Sequence, residues 1–207
     1  MKKLLLLAII FLLFGTAPAI AVPFGFIDIP SDDNPTLDLS ANFIGDISDF
    51  GGNQVLFTIS NNGPETSTID KVLFEYSPDN LLLNPSFNID HSIGIVRFGS
   101  PNNLTLPQGN NIAFDAASGL DADNPAPKYG VNVGETVAFL FDGIFDDALL
   151  AMATGNLRIG MHVINIGELS DSYVSGPPTA PVPEPATMLL LGTGLIGITG
   201  LRRKIKK

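Results

Sequence analysis

The strongest constraint on the fold of this chain is a period of two. Val55, Phe57 and Ile59 alternate with polar neighbours, and so do Val72, Phe74 and Tyr76, Val137, Phe139 and Phe141, and Leu157, Ile159, Met161 and Val163. Successive side chains of a strand point to opposite faces, so this alternation buries one face of each segment against a second sheet. Turn clusters punctuate the runs: Gly51-Gly52-Asn53, Asn61-Asn62-Gly63-Pro64, Pro101-Asn102-Asn103, Gly109-Asn110-Asn111 and Val133-Gly134-Glu135. Shorter apolar runs at Ile93–Phe98 and Ile112–Phe114 predict further strands, and an earlier one is expected over Thr36–Phe43. The break at Asn61–Pro64 between two alternating runs reads as a hairpin. One segment has helical character: Asp146 caps a helix through Thr154, Leu149 and Met152 face inward, and Gly155 ends it. Seven or so strands with this spacing predict an all-β fold, an antiparallel β-sandwich with one short helix. No repeat at a period of 20 to 50 residues points to a solenoid or propeller.

The chain has 207 residues, 45% of them hydrophobic and 15% charged, enough apolar material for one domain or two small ones with a packed core. It has no cysteine, which excludes disulfides, thiolate nucleophiles and cysteine-ligated metal centres. Seven of the eleven basic residues lie near the two ends: Lys2, Lys3, Arg202, Arg203, Lys204, Lys206 and Lys207. Between residues 22 and 182 only Lys71, Arg97, Lys128 and Arg158 face twenty carboxylates. Phosphate backbones need clustered cations to release their counterions, so no nucleic-acid partner is expected.

Both ends read as addresses. Lys2 and Lys3 precede an apolar run from Leu4 to Phe14, and Ala19-Ile20-Ala21 follows in the A-x-A pattern of a signal-peptidase site. Eleven apolar residues are too few to span a bilayer, so residues 1–21 are expected to be a signal peptide with Val22 as the first mature residue. Downstream, Ser175–Pro181 forms a Pro-rich linker, placed at residues 174–182. Then come Pro183-Glu184-Pro185, the apolar stretch Ala186–Leu201, and Arg202, Arg203 and Lys204 at the head of a basic cluster. Prolines flanking a glutamate present an extended backbone and one carboxylate. The sixteen apolar residues suit a short transmembrane helix, and the basic cluster stops it on the cytoplasmic side. Gly192-Thr193-Gly194-Leu195-Ile196-Gly197 matches G-x-G-x-x-G, but no βαβ unit surrounds it, and its glycines suit close helix packing instead.

The three-part order of residues 183–207 resembles the PEP-CTERM sorting signal of Gram-negative bacteria. The resemblance implies recognition by exosortase, an integral-membrane cysteine transpeptidase that cleaves near the Pro-Glu-Pro motif. Glu184 would be the residue read, with Pro183 and Pro185 fixing its presentation. The body, residues 22–173, looks like the β-rich ectodomains that precede such tails, a likeness that carries no active site.

Catalytic signals in the body are sparse. His91 and His162 stand in no metal or triad spacing, and no G-x-S-x-G elbow delivers a serine. Tyr129, beside Pro125-Ala126-Pro127-Lys128, is the one aromatic in position to act as a sugar platform, and packing over its own prolines is the preferred reading. Asp121 and Asp123, in the acidic run Asp115–Asn124, are the metal candidates, since calcium takes six to eight oxygens. The run departs from an EF-hand loop: counting from Asp121, Pro125 and Ala126 hold the fifth and sixth positions and Asn132 the twelfth. A solvated acidic loop is therefore preferred, and no cofactor is expected beyond calcium in that alternative.

These readings combine into an exported, non-catalytic envelope or extracellular-matrix protein. Its precursor is anchored in the inner membrane, and signal peptidase and, transiently, exosortase process it. What the resemblance implies is association with exopolysaccharide or biofilm. The alternatives are an exported hydrolase using a carboxylate pair and a calcium-dependent binding module.

Overall fold

A computed structural model of the chain describes residues 21–30 and 38–179. Eleven strands dominate it: β1 (Ala21–Asp28), β2 (Phe43–Gly51), β3 (Gln54–Asn61), β4 (Thr68–Tyr76), β5 (Leu83–Phe87), β6 (Phe98–Gly99), β7 (Ser118–Ala122), β8 (Val131–Asn132), β9 (Thr136–Asp142), β10 (Leu157–Ile166) and β11 (Leu169–Ser175). Two helices accompany them, the single turn α1 (Ala126–Tyr129) and the longer α2 (Phe145–Thr154). All the strand pairings are antiparallel, in the order β5-β9-β3-β2-β1-β11-β10-β4-β7-β6, with β8 beside β4.

The sheet folds over on itself at β1. Residues 21–25 pair with β2, whereas Phe26–Asp28 pair with β11, so one strand belongs to both layers. The expected all-β antiparallel sandwich is present, in a barrel-like form whose two layers are continuous. Between them Phe74 of β4 meets Phe57, Phe139 and Phe141 of the opposite layer, with ring centroids 5.4, 6.0 and 4.7 Å away and tilted towards edge-to-face geometry. All four rings are fully buried, at the positions where the period of two placed them.

The expected hairpin between the Val55 and Val72 runs does not form. β3 pairs with β2 and β9, and β4 pairs with β10, β7 and β8, so the two strands face each other across the core. The Asn61–Ser67 connection is an arch. Buried Asn61 fastens it, its amide donating to the Ser67 carbonyl (3.1 Å), the Ser67 hydroxyl (3.1 Å) and the Val131 carbonyl (3.3 Å). The true hairpin joins β2 to β3, where Gly51, Gly52 and Asn53 adopt φ of 85°, 64° and 60°. That left-handed run favours glycine and asparagine.

Other expectations are revised. Ile93–Phe98 yields only β6, because Gly94 turns at φ 104° and Ile93 makes a lone bridge to Thr136. Ile112–Phe114 is the end of a 3-10 turn followed by Ala113 at φ 49°, a left-handed residue that no strand accommodates. Asp38 and Leu39 are not in a strand and Ser40–Asn42 is also a 3-10 turn, so the early strand begins only at Phe43, while Thr36 and Leu37 lie outside the described residues. Helix α2 starts at Phe145, with Asp146 in its first turn instead of at the cap. Met152 is buried, Leu149 packs beside it, and Gly155 at φ 77° ends the helix. Strand β11 continues to Ser175, so the body extends past residue 173 into the expected linker.

A second, smaller apolar cluster covers the outer face of the β4–β10–β11 layer. Ile29, Leu73 and Leu106 are buried there, with Ile112, Phe114, Ala116 and Val174 packed around them. The irregular 100–117 segment supplies most of this cover. Arg158 fastens it from β10: its Nη1 and Nη2 donate to the carbonyls of Ile112 (3.1 Å) and Ala113 (2.9 Å), while its Nε binds Glu75.

Candidate functional site

Of the residues singled out from the sequence, Ala21 opens β1 opposite Ser48, and Val22 beside it is buried in the core. Ala21 is also the first of the described residues. Ala19, Pro183, Glu184, Pro185, Arg202, Arg203 and Lys204, like both terminal apolar segments, lie outside the described residues. Asp121 sits on strand β7 rather than in a loop. It faces its cross-strand neighbour Lys71 at 3.7 Å and accepts the Asn102 N–H at 3.0 Å. Asp123 follows in the exposed turn. Among the described residues no three His, Cys, Asp or Glu side chains cluster at metal-holding distance.

Both histidines are held by neighbours. The His162 ring nitrogen Nδ1 lies 2.8 Å from Asp70 on the outer face. His91 closes a 3-10 turn, 3.1 Å from the Asn88 side chain, with its ring edge-on to Phe50 at 5.2 Å.

A groove of about 670 Å³ opens at one end of the sandwich, between α2 and the 77–83 segment. Leu81, Leu83, Ile144 and Leu150 give it an apolar lining, and Asn53, Asn80, Asp142, Asp147 and Asn156 are among its polar groups. Asp142 accepts from Asn84 at 2.7 Å and from Gln54 at 3.1 Å, and these bonds hold its carboxyl below the usual carboxylate range. No basic side chain lines this groove, so its chemistry suits neutral or cationic groups.

Tyr129 lies at the opposite electrostatic extreme. The Arg97 guanidinium and the Lys128 ammonium each sit 4.9 Å from its ring centroid, within cation–π range. The other two cations of the body are paired, Lys71 with Asp121 and Arg158 with Glu75. Arg97 and Lys128 form no such bridge among the described residues and are both exposed. The frame under them is fixed, since the Arg97 N–H donates to the Tyr129 carbonyl and the Asp123 N–H to the Arg97 carbonyl, each at 2.9 Å. Two cations thus lie against the Tyr129 ring.

A carboxylate cluster that sequence reasoning missed joins the end of β1 to β11. Burial, and after it the nearby Asp171 and Asp38 charges, together raise the Asp28 carboxyl to about 6. Asp171 is only 2% exposed, and its own carboxyl is raised chiefly by burial. Beside it the fully buried Tyr173 hydroxyl accepts the Leu39 N–H at 3.3 Å, and burial pushes its ionisation well above the usual phenol range. No spacing signals this cluster, because Asp28 and Asp171 are brought together only by the pairing of the first described strand with the last.

A sequence profile of the PEP-CTERM protein-sorting motif matches residues 181–204. That span contains Pro183, Glu184, Pro185 and the Arg202–Lys204 stop, and it supports an exported, membrane-anchored precursor sorted by exosortase. No curated protein and no solved structure matches the chain.

Proposed function

We propose, from the sorting motif at residues 181–204, that this chain is a non-catalytic envelope or matrix component, cleaved after Ala21 by signal peptidase and near Glu184 by exosortase. The motif match is the observation that carries the reading. The first cleavage rests on the Ala19-Ile20-Ala21 pattern after the apolar run Leu4–Phe14. The test is the mass of the protein recovered from envelope and medium, with Glu184→Ala as the comparison. Loss of residues 1–21 and of the segment after about residue 185, in wild type alone, is the expected result. An intact tail in both chains overturns it and leaves a simple membrane anchor.

Outside the membrane, the role we assign is association with exopolysaccharide, through Tyr129 and the Arg97 and Lys128 beside its ring. On a body of twenty carboxylates Arg97 and Lys128 are the two cations that form no ion pair among the described residues, and they converge on one aromatic side chain. Cosedimentation with a neutral polysaccharide is expected to fall at least fivefold in the Tyr129→Ala variant. Equal cosedimentation of both chains rejects this contact. The hydrolase alternative would use Asp28 and Asp171, but at 2% exposure Asp171 offers a polymer little access.

A further inference from the structure

The outgoing chain does not leave the body where β11 ends. After Ser175, the Gly176 N–H donates to the Gly25 carbonyl at 2.9 Å. Three residues on, the Thr179 N–H and hydroxyl both donate to the Pro23 carbonyl, at 2.8 and 3.0 Å. Residues 176–179 therefore lie antiparallel along Pro23–Gly25, and the chain runs towards Ala21. The strand register places this edge at the end of the sandwich that also carries the Gly51–Asn53 turn, since Ala21 faces Ser48 in β2. The first and the last described residues of the body thus lie at one edge.

The clasp shortens the linker. Of the expected spacer at 174–182, residues 174–175 belong to β11 and 176–179 are bonded to β1, which leaves 180–182 between the body and Pro183. Whatever their conformation, three residues reach at most about 10 Å and the seven steps from Thr179 to Ala186 at most about 25 Å. A body of this size has a radius of gyration of about 15 Å, so the reach available to the sorting motif is less than the width of the domain.

We propose that the 176–179 clasp sets the reach of the Pro183-Glu184-Pro185 motif, with Thr179 as its positioning residue. The inference rests on the sorting reading above. It says that the processing enzyme meets its motif against the folded edge of β1, where the length of residues 180–182 matters more than their identity.

The test follows C-terminal processing of the full chain by mass, in a host that expresses an exosortase. Replacing Ala180-Pro181-Val182 with Gly-Ser-Gly keeps the length, and processing within twofold of wild type is expected. Deleting the three residues draws the motif against the body and is expected to lower the processed fraction at least tenfold. Adding Gly176→Pro and Thr179→Pro to that deletion removes both N–H donors and the hydroxyl, frees about 13 Å of chain, and is expected to restore processing. Each variant is accepted only if its melting temperature shows a folded body. Wild-type processing of the deletion, or failure of the unclasped deletion to recover, overturns the clasp. A wild-type chain that keeps its tail overturns the sorting reading and the clasp together, and so differs from failure of the clasp alone.

Discussion

The two apolar clusters of this molecule are built by different rules. Between the layers, regular strands deliver Phe57, Phe74, Phe139 and Phe141 to one another at every second position. On the outside, an irregular segment drapes Leu106, Ile112 and Phe114 over Leu73 and Ile29, and polar fastenings such as Arg158 to Ile112 and Ala113 hold it in place. The first cluster is a property of strand periodicity. The second depends on where single glycines leave room: a Cβ on Gly160 would stand 2.6 Å from Leu106 Cδ2 and 2.8 Å from Phe114 Cζ. Apolar residues can therefore be equally numerous in two stretches and still serve unlike purposes.

The contrast makes predictions of decreasing size. Phe74→Ala, which removes the ring at the centre of the inner cluster, is expected to cost about 3–5 kcal/mol and to lower Tm by roughly 10 °C in thermal unfolding. Leu106→Ala in the outer cover is expected to cost about 2 kcal/mol, at the low end for a buried leucine, because an irregular segment can relax around the gap. If the outer segment is as integral as the sandwich, the two losses will match and the distinction fails.

Gly160→Ala sharpens the comparison. It is expected to cost about 1 kcal/mol by displacing Leu106 and Phe114, and most of that cost should vanish in a Leu106→Ala background. Additive costs in the double variant would mean that Gly160 acts through its own backbone rather than through the cover.

The smallest effect concerns the seam between β1 and β11. Asp28 is raised to about 6 in the folded state, so folded protein holds its proton longer than unfolded chain. The stabilisation is complete below about pH 4 and is lost as pH rises through about 6. Discounted for the solvent that still reaches this side chain, the loss is on the order of 1 kcal/mol. Denaturant titrations at pH 4.5 and 7.5 should show it, and Asp28→Asn should reduce the slope.

The same contrast explains what the sequence made legible. β3, β4, β9 and β10 were readable because each buries one face, and Val55, Phe74, Phe141 and Ile159 all reach zero exposure. Ile93 and Ile95 alternate equally well, yet are 62% and 61% exposed, because the Gly94 turn lifts them off the sheet. Ile112 and Phe114 are apolar for the outer cover, which needs no period. The false hairpin at Asn61–Pro64 has a related cause: alternation fixes which face is buried but not which partner lies alongside. Of the sites, the sorting motif was fully legible because it is a local order of residues. The Asp28–Asp171 pair was invisible because pairing between distant strands creates it.

The strand shared by both layers also orders events in time. β1 leaves the ribosome first, but its second partner, β11, is made about 150 residues later, with Phe26 meeting Ser175. Until that last strand arrives, the fold lacks the seam that joins its layers, and the loop to be closed is nearly the whole body. Such long-range closure places the chain among the slow folders. The β2–β3 hairpin needs no such wait, so the seam is the part of the fold that its last strand completes.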